Sequence, residues 1–238
     1  MARTAWWRNL ARWHIWLGWL IGVPLVMWTV TGLVMVSRPI DEVRGDHLRR
    51  DLPQSALLPG NPVPIDFQPG SSTRYSEMRV IRQGDRAVWL LTTTDGEIER
   101  YRADSVGDPL PDIDETFARA MVAERIVGGD RVRKIESFSA ADAPIDLRRP
   151  IPTWRLTLQD GARIYVHRQT GEIAAVRTRF WRVFDVMWGL HIMDLQTRED
   201  TSHPVLIAFA ALAAIGSLFG CVLLFRRRKP KPGRADAG

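Results

Sequence analysis

The chain has 238 residues, of which 45% are hydrophobic, 25% charged and 9% aromatic, a mixture too apolar for a disordered protein. Two runs, Ile15 to Ser37 and Pro204 to Phe225, contain no Asp, Glu, Lys or Arg, which excludes a purely soluble protein. The formal net charge of +6 sits at the ends: residues 1–12 carry +3 and residues 226–238 carry +5, leaving 38–203 at −2 from 24 basic and 26 acidic side chains, so the high pI argues for no nucleic-acid groove.

In chain order, residues 1–12 read as a basic tail and 13–37 as a first membrane helix. At ~1.5 Å per residue such a run covers the ~30 Å hydrocarbon layer. The exit Met35-Val36-Ser37-Arg38-Pro39 has no small-x-small pattern, so the run is an uncleaved anchor rather than a signal peptide. Pro24 is expected to kink it locally. Trp6, Trp7, Trp13, Trp16 and Trp19 crowd its first half, as amphipathic rings do at a headgroup boundary; Trp181 and Trp188 precede the second run in the same way.

Residues 38–110 form a first extramembrane half. Pro, Ser and Gly are dense from Pro53 to Ser72, so no intact helix is expected there. Trp89-Leu90-Leu91-Thr92-Thr93-Thr94-Asp95-Gly96 recurs 65 residues later as Trp154-Arg155-Leu156-Thr157-Leu158-Gln159-Asp160-Gly161, matching at five of eight positions, which predicts two related hairpins, the first in a degenerate copy.

Residues 111–178 form the second half. Asp112-Ile113-Asp114-Glu115 opens a helix with Phe117, Met121, Val122 and Ile126 at helical spacing, and Gly128-Gly129 ends it. Val132 to Phe138, Thr153 to Leu158 and Arg163 to Val166 read as strands; the last two are joined by a tight Gln159-Asp160-Gly161 turn, and a loop, Ala140 to Pro152, separates the first two. Residues 179–196 are apolar on most sides and suit an interfacial helix or docking surface, with Arg182 and Asp185 a helical step apart and Asp194 near His191. The second membrane helix is 203–225, opened by Thr201-Ser202-His203-Pro204, and 226–238 is a second basic tail.

Nine basic residues flank the outer ends of the two spans, which places both termini in the cytoplasm and 38–203 on the far side. Arg outnumbers Lys by 30 to 3, a bias of GC-rich genomes that points to a bacterium, whose far side is the periplasm. Gly18 with Gly22 and Gly216 with Gly220 are small-residue pairs at matching depth, suited to close packing of an antiparallel hairpin or of a homodimer. The lone Cys221 allows no intrachain disulfide.

Ile113 to Ala120, Val132 to Glu136, Trp154 to Leu158 and Ile164-Tyr165-Val166-His167-Arg168-Gln169-Thr170-Gly171-Glu172-Ile173 follow a helix and strand order that resembles the PepSY module of the PepSY-associated transmembrane family, with His167 where the family often has Asp. Arg12-Trp13-His14-Ile15-Trp16-Leu17-Gly18, Thr31-Gly32 and Leu190-His191 resemble its membrane segments, although Ile192-Met193 replaces the usual Thr-Gly, and many relatives have four spans. The resemblance implies an inner-membrane protein in which two antiparallel transmembrane helices carry an α+β periplasmic domain of helix plus antiparallel sheet. It also makes haem b worth testing, since some relatives are haem-bearing ferric-siderophore reductases.

The five histidines are the only plausible ligands for such a cofactor. His14 and His191 lie at opposite ends of the hairpin, about the ~30 Å hydrocarbon thickness apart, so one chain cannot place both on one iron. His191 and His203 share a side and are free to converge, or each histidine pairs with its copy in a homodimer; otherwise His14 and His203 are polar helix-end residues, and His47 and His167 solvated loop groups. An Asp194 contact to orient the His191 imidazole competes with a plain helix pair. No nucleophile elbow, phosphate loop, metal-protease helix or paired-carboxylate motif is present. The leading reading is therefore a non-enzymatic binding or accessory subunit, partnered by the bilayer and by another envelope protein or a second copy. The rival is a haem-dependent oxidoreductase subunit in ferric-siderophore reduction or iron uptake.

Overall fold

The computed structural model describes residues 2–51, 62–65, 72–84, 86–105 and 108–227, in two compact units, 1–39 with 183–238, and 40–182. The first unit is built on two membrane-spanning helices, α1 (Ala2–Val36) and α5 (Pro204–Arg227), whose apolar windows have mean hydropathies of 2.0 and 2.5. Their side chains stay mostly exposed, as expected where hydrocarbon rather than protein covers them. Because α1 begins at Ala2, residues 2–12 are its first turns rather than a separate tail. The helix runs through Pro24, and Pro204 is the first residue of α5, where its missing N–H costs nothing. Gly216 lies against Leu17 and Ile21 while Gly220 lies against His14, so residue numbers run in opposite senses and the pair is an antiparallel hairpin. The tail residues 228–238 lie outside the described residues.

The helix α4 (Arg179–His191) leads toward α5 through a loop held by one carboxylate. Buried Asp194 accepts from the N–H groups of Gln196 and Thr197 at 3.1 Å, from those of Glu199 and Asp200 at 3.2 Å, and from the Thr197 hydroxyl. These bonds hold a loop in which Met193 and Arg198 take φ of 58° and 57°, sparsely populated values for residues with a Cβ.

In the second unit, α2 (Ile40–Arg44) is a single turn with Asp41 and Glu42 at its positive end and Val43 buried. Gly45 then turns with φ 76°, where a Cβ would sit 2.7 Å from Val176. The strands β1 (Tyr75–Gln83), β2 (Arg86–Thr93) and β3 (Ile98–Arg102) form one antiparallel meander, and β4 (Val132–Phe138), β5 (Thr153–Leu158), β6 (Arg163–His167) and β7 (Ile173–Arg177) form a second. Between the two meanders in sequence runs α3 (Glu115–Arg125), capped by Asp114, whose carboxylate accepts from Phe117 N at 2.7 Å.

Alternation along β6 assigns the two faces of the second sheet. Ile164 and Val166 join Leu156 and Leu158 of β5 under Ala118 and Val122 of α3 and Ile126 just after it, while Tyr165 points to the other face with Ala175. That other face is closed by the segment expected to be a plain separating loop. Ile145–Leu147 makes a short 3-10 turn that buries Leu147 on Tyr165, and Asp146 accepts from the Tyr165 hydroxyl at 2.6 Å and from Arg163 at 3.0 Å.

The 65-residue repeat has a structural counterpart. Trp89 on β2 donates its indole N–H to Val63 O at 2.9 Å, and Trp154 on β5 donates to Ile113 O at 2.7 Å, each tying its sheet to an upstream segment. The matched Asp-Gly turns also agree, with φ of 86° at Gly96 and 85° at Gly161. Most of the Pro53 to Ser72 stretch, where the first copy is expected to lack its helix, lies outside the described residues.

Candidate functional site

His14 and His191 are held in the same way at opposite ends of the hairpin unit. His14 Nδ1 is 3.1 Å from Gly216 O; a carbonyl only accepts, so Nδ1 carries a proton and, in the neutral ring, Nε2 keeps its lone pair. The ring rests on α5 where Gly220 has no side chain, and a Cβ there would come 3.1 Å from His14 Cε1.

At the other end, His191 closes α4 with its ring stacked on Trp28 of α1 (centroids 4.8 Å apart, 13° between planes), and Trp28 donates its indole N–H to His191 O at 3.1 Å. The Thr31 hydroxyl donates back to Trp28 O at 2.9 Å, which uses its single hydrogen. At its 3.0 Å contact with His191 Nδ1 it therefore accepts, again fixing Nδ1–H and leaving the Nε2 lone pair. Thr31 is buried, and a Cβ on its neighbour Gly32 would lie 3.3 Å from His191 Cε1. Burial pushes the His191 imidazole below its usual pKa, so the neutral ring is the stable form. Among the described residues neither Nε2 has a hydrogen-bond partner.

The remaining candidates are arranged differently. His203 Nδ1 accepts from Val205 N at 3.4 Å as the cap of α5, which leaves the proton on Nε2 and no lone pair for a metal. His167 likewise accepts, from Gln169 N at 3.1 Å and Thr170 N at 3.4 Å, so it is a half-buried turn former rather than a solvated loop group. Gly216 and Gly220 meet α1, but at Leu17, Ile21 and His14; a Cβ on Gly18 or Gly22 would touch nothing, so the contact is glycine against side chain and not glycine against glycine. The Asp194 oxygens are spent on the loop after α4 and do not orient His191. Arg182 and Asp185 are not partners: Arg182 donates to Gly161 O at 3.1 Å, and buried Asp185 pairs with Arg198.

Trp28 and the Thr31 back-bond are functional candidates that the sequence reading did not single out; the signal was Thr31-Gly32 three residues beyond a tryptophan. Among the described residues no three or more His, Cys, Asp or Glu groups converge as a metal site.

The family model described as PepSY-associated TM region matches residues 11–237. The chain belongs to this family. As a PepSY-associated protein it is membrane-associated, with two transmembrane helices and an α+β extramembrane domain. No curated protein and no solved structure matches it.

Proposed function

We propose that this PepSY protein is a haem-carrying electron-transfer subunit of the bacterial inner membrane, with both termini cytoplasmic and residues 38–203 periplasmic. The supporting observation is that His14 and His191 each have Nδ1–H tied to an oxygen, Nε2 open and a glycine beneath the ring. Histidine ligands of metals show this arrangement, because a hydrogen bond at one nitrogen fixes the tautomer and makes the other more basic. The fit extends to one ligand per haem. Residues 14 and 31 are separated along α1 by roughly 25 Å at ~1.5 Å per residue, whereas two nitrogens on one iron stand only about 4 Å apart. His14 and His191 would therefore each hold a separate haem, this chain contributing one histidine to each.

Bound haem would supply a one-electron carrier at each end of the hairpin, and an iron chelate on the periplasmic side is the acceptor class that the family suggests. The chain's own part is to fix both tautomers and to clear space for the rings. The test is an absorption spectrum of full-length protein purified in detergent from haem-replete cells, oxidised and reduced. The expected result is a Soret band that His14→Ala and His191→Ala each diminish; its absence from wild-type protein overturns the reading.

The second reading, a periplasmic binding or accessory subunit of an envelope complex, draws support from β1. This nine-residue edge strand has β2 as its bonded neighbour and exposes Met78, a place where a partner segment adds as a further strand. Its test is recovery of an envelope protein by the full-length chain that is lost in Met78→Lys, which puts a charge on the exposed edge strand; equal recovery by wild type and variant overturns the reading.

A further inference from the structure

We propose that the extramembrane unit carries an oxyanion site, specific for a phosphate group, in the cleft where the β5–β6 turn meets the start of α4. The cleft has a volume of about 370 Å³ and is lined by Arg133, Arg163, Arg179 and Arg182, with Asp160 its one carboxylate.

Each arginine is placed by a separate device. Arg133 is the extra residue of a bulge between Val132 and Lys134, where β4 slips against β5, and bulges re-aim side chains in this way. Arg163 opens β6 and is steadied by Asp146 at 3.0 Å. Arg179 and Arg182, three apart in the first turns of α4, project on the same side. Arg182 is anchored on Gly161 O at 3.1 Å. Gly161 turns with φ 85°, and a Cβ there would meet the aliphatic chain of Arg179 at 3.2 Å, so the glycine admits Arg179 as well as the turn.

The charge in this cleft is not balanced from within. Asp160 already accepts from Ala162 N at 2.8 Å, and among the described residues Arg133, Arg179 and Arg182 have no carboxylate at ion-pairing distance. Burial, and then the like charges of Arg163 and Arg179, push the Arg182 guanidinium below its usual pKa. This concentration of positive charge lies in a segment, 38–203, whose net charge is −2. Guanidinium forks match the paired oxygens of a phosphate, and several around one cleft suit a phosphate better than a single carboxylate. The same phosphate chemistry is offered by an anionic lipid headgroup and by free phosphate. The site is independent of haem.

The experiment places full-length protein in phosphatidylcholine nanodiscs and titrates inorganic phosphate against chloride at equal ionic strength, reading the unfolding temperature of the extramembrane unit. Phosphate is expected to raise it where chloride does not, and Arg133→Gln/Arg179→Gln, at two exposed positions, is expected to weaken the phosphate response about tenfold or more. Repetition with phosphatidylglycerol in the discs identifies the source. A response lost because the site is already filled, together with phosphatidylglycerol retained by wild type but not by the double variant in native mass spectrometry, assigns a lipid headgroup; an unchanged response assigns free phosphate. Indistinguishable phosphate and chloride curves in phosphatidylcholine, with equal phosphatidylglycerol retention by wild type and variant, overturn the proposal.

Discussion

His167 makes the extramembrane unit sensitive to mild acid. Its Nδ1 accepts from Gln169 N and Thr170 N, and protonation replaces that acceptor by a third N–H facing two others. Burial already holds the imidazole below its ordinary pKa, despite Glu172 and Asp112 nearby, so folded His167 stays neutral where the unfolded residue, near 6.5, takes up a proton. The unfolded state then binds more protons, and stability, complete above about pH 7, falls as pH drops below ~6.5. Two hydrogen bonds at about 1 kcal/mol each, discounted for a half-buried site, amount to roughly 1–2 kcal/mol, or about 2–8 °C of unfolding temperature in a domain of this size. The assay is thermal unfolding of full-length protein in detergent between pH 7.5 and 5. His167→Asp supplies a carboxylate that accepts from the same two N–H groups without titrating in this window. The wild-type minus variant difference isolates this residue from His191, whose pKa is also lowered. An equal pH slope in both proteins refutes the reasoning.

Three further outcomes are expected. Gly220→Val, which drives a side chain into His14 from a Cβ position 3.1 Å from its ring, should destabilise the hairpin by about 1–3 kcal/mol in a detergent unfolding assay, while Gly18→Val, with open space around its Cβ, should change it by less than about 0.5 kcal/mol. Asp194→Ala should open the 192–203 loop to limited proteolysis. In wild type the same loosening should appear only as pH falls below about 4, because the Thr197 hydroxyl and the backbone N–H groups hold the Asp194 carboxyl below its usual range. Leu156→Ala, a fully buried position under α3, should cost about 2–5 kcal/mol by chemical denaturation, whereas Ile145→Ala, 68% exposed, should cost little.

The legible parts of this chain were those with a strong local signal. The charge-free runs gave the two spans, the acids at its start and the 3.6-residue spacing gave α3, and Val132–Phe138 and Thr153–Leu158 match their strands to the residue. The Trp-to-Gly repeat pointed to the paired meanders because the indole anchor and the left-handed glycine are both sequence-encoded. What stayed hidden depends on tertiary partners. Nothing in Ala140 to Pro152 announces that Asp146 will meet Tyr165, and nothing near Arg182 announces Gly161 O. The histidines were visible as candidates, but their roles are set by which nitrogen is engaged. That choice rests on Gly216 O for His14, on Thr31 for His191, and on nearby backbone N–H groups for His167 and His203. A helix periodicity also could not tell glycine against glycine from glycine against imidazole, since both place a small residue on the buried stripe.

The tautomers themselves are open to direct observation. Nitrogen NMR of the haem-free, histidine-labelled full chain in nanodiscs at pH 8, with each signal assigned by single histidine replacement, reads which ring nitrogen bears the proton. His14 and His191 are predicted to carry it on Nδ1, and His167 and His203 on Nε2; a proton found on Nε2 of His14 and His191 would contradict the assignment of these two residues as ligand donors.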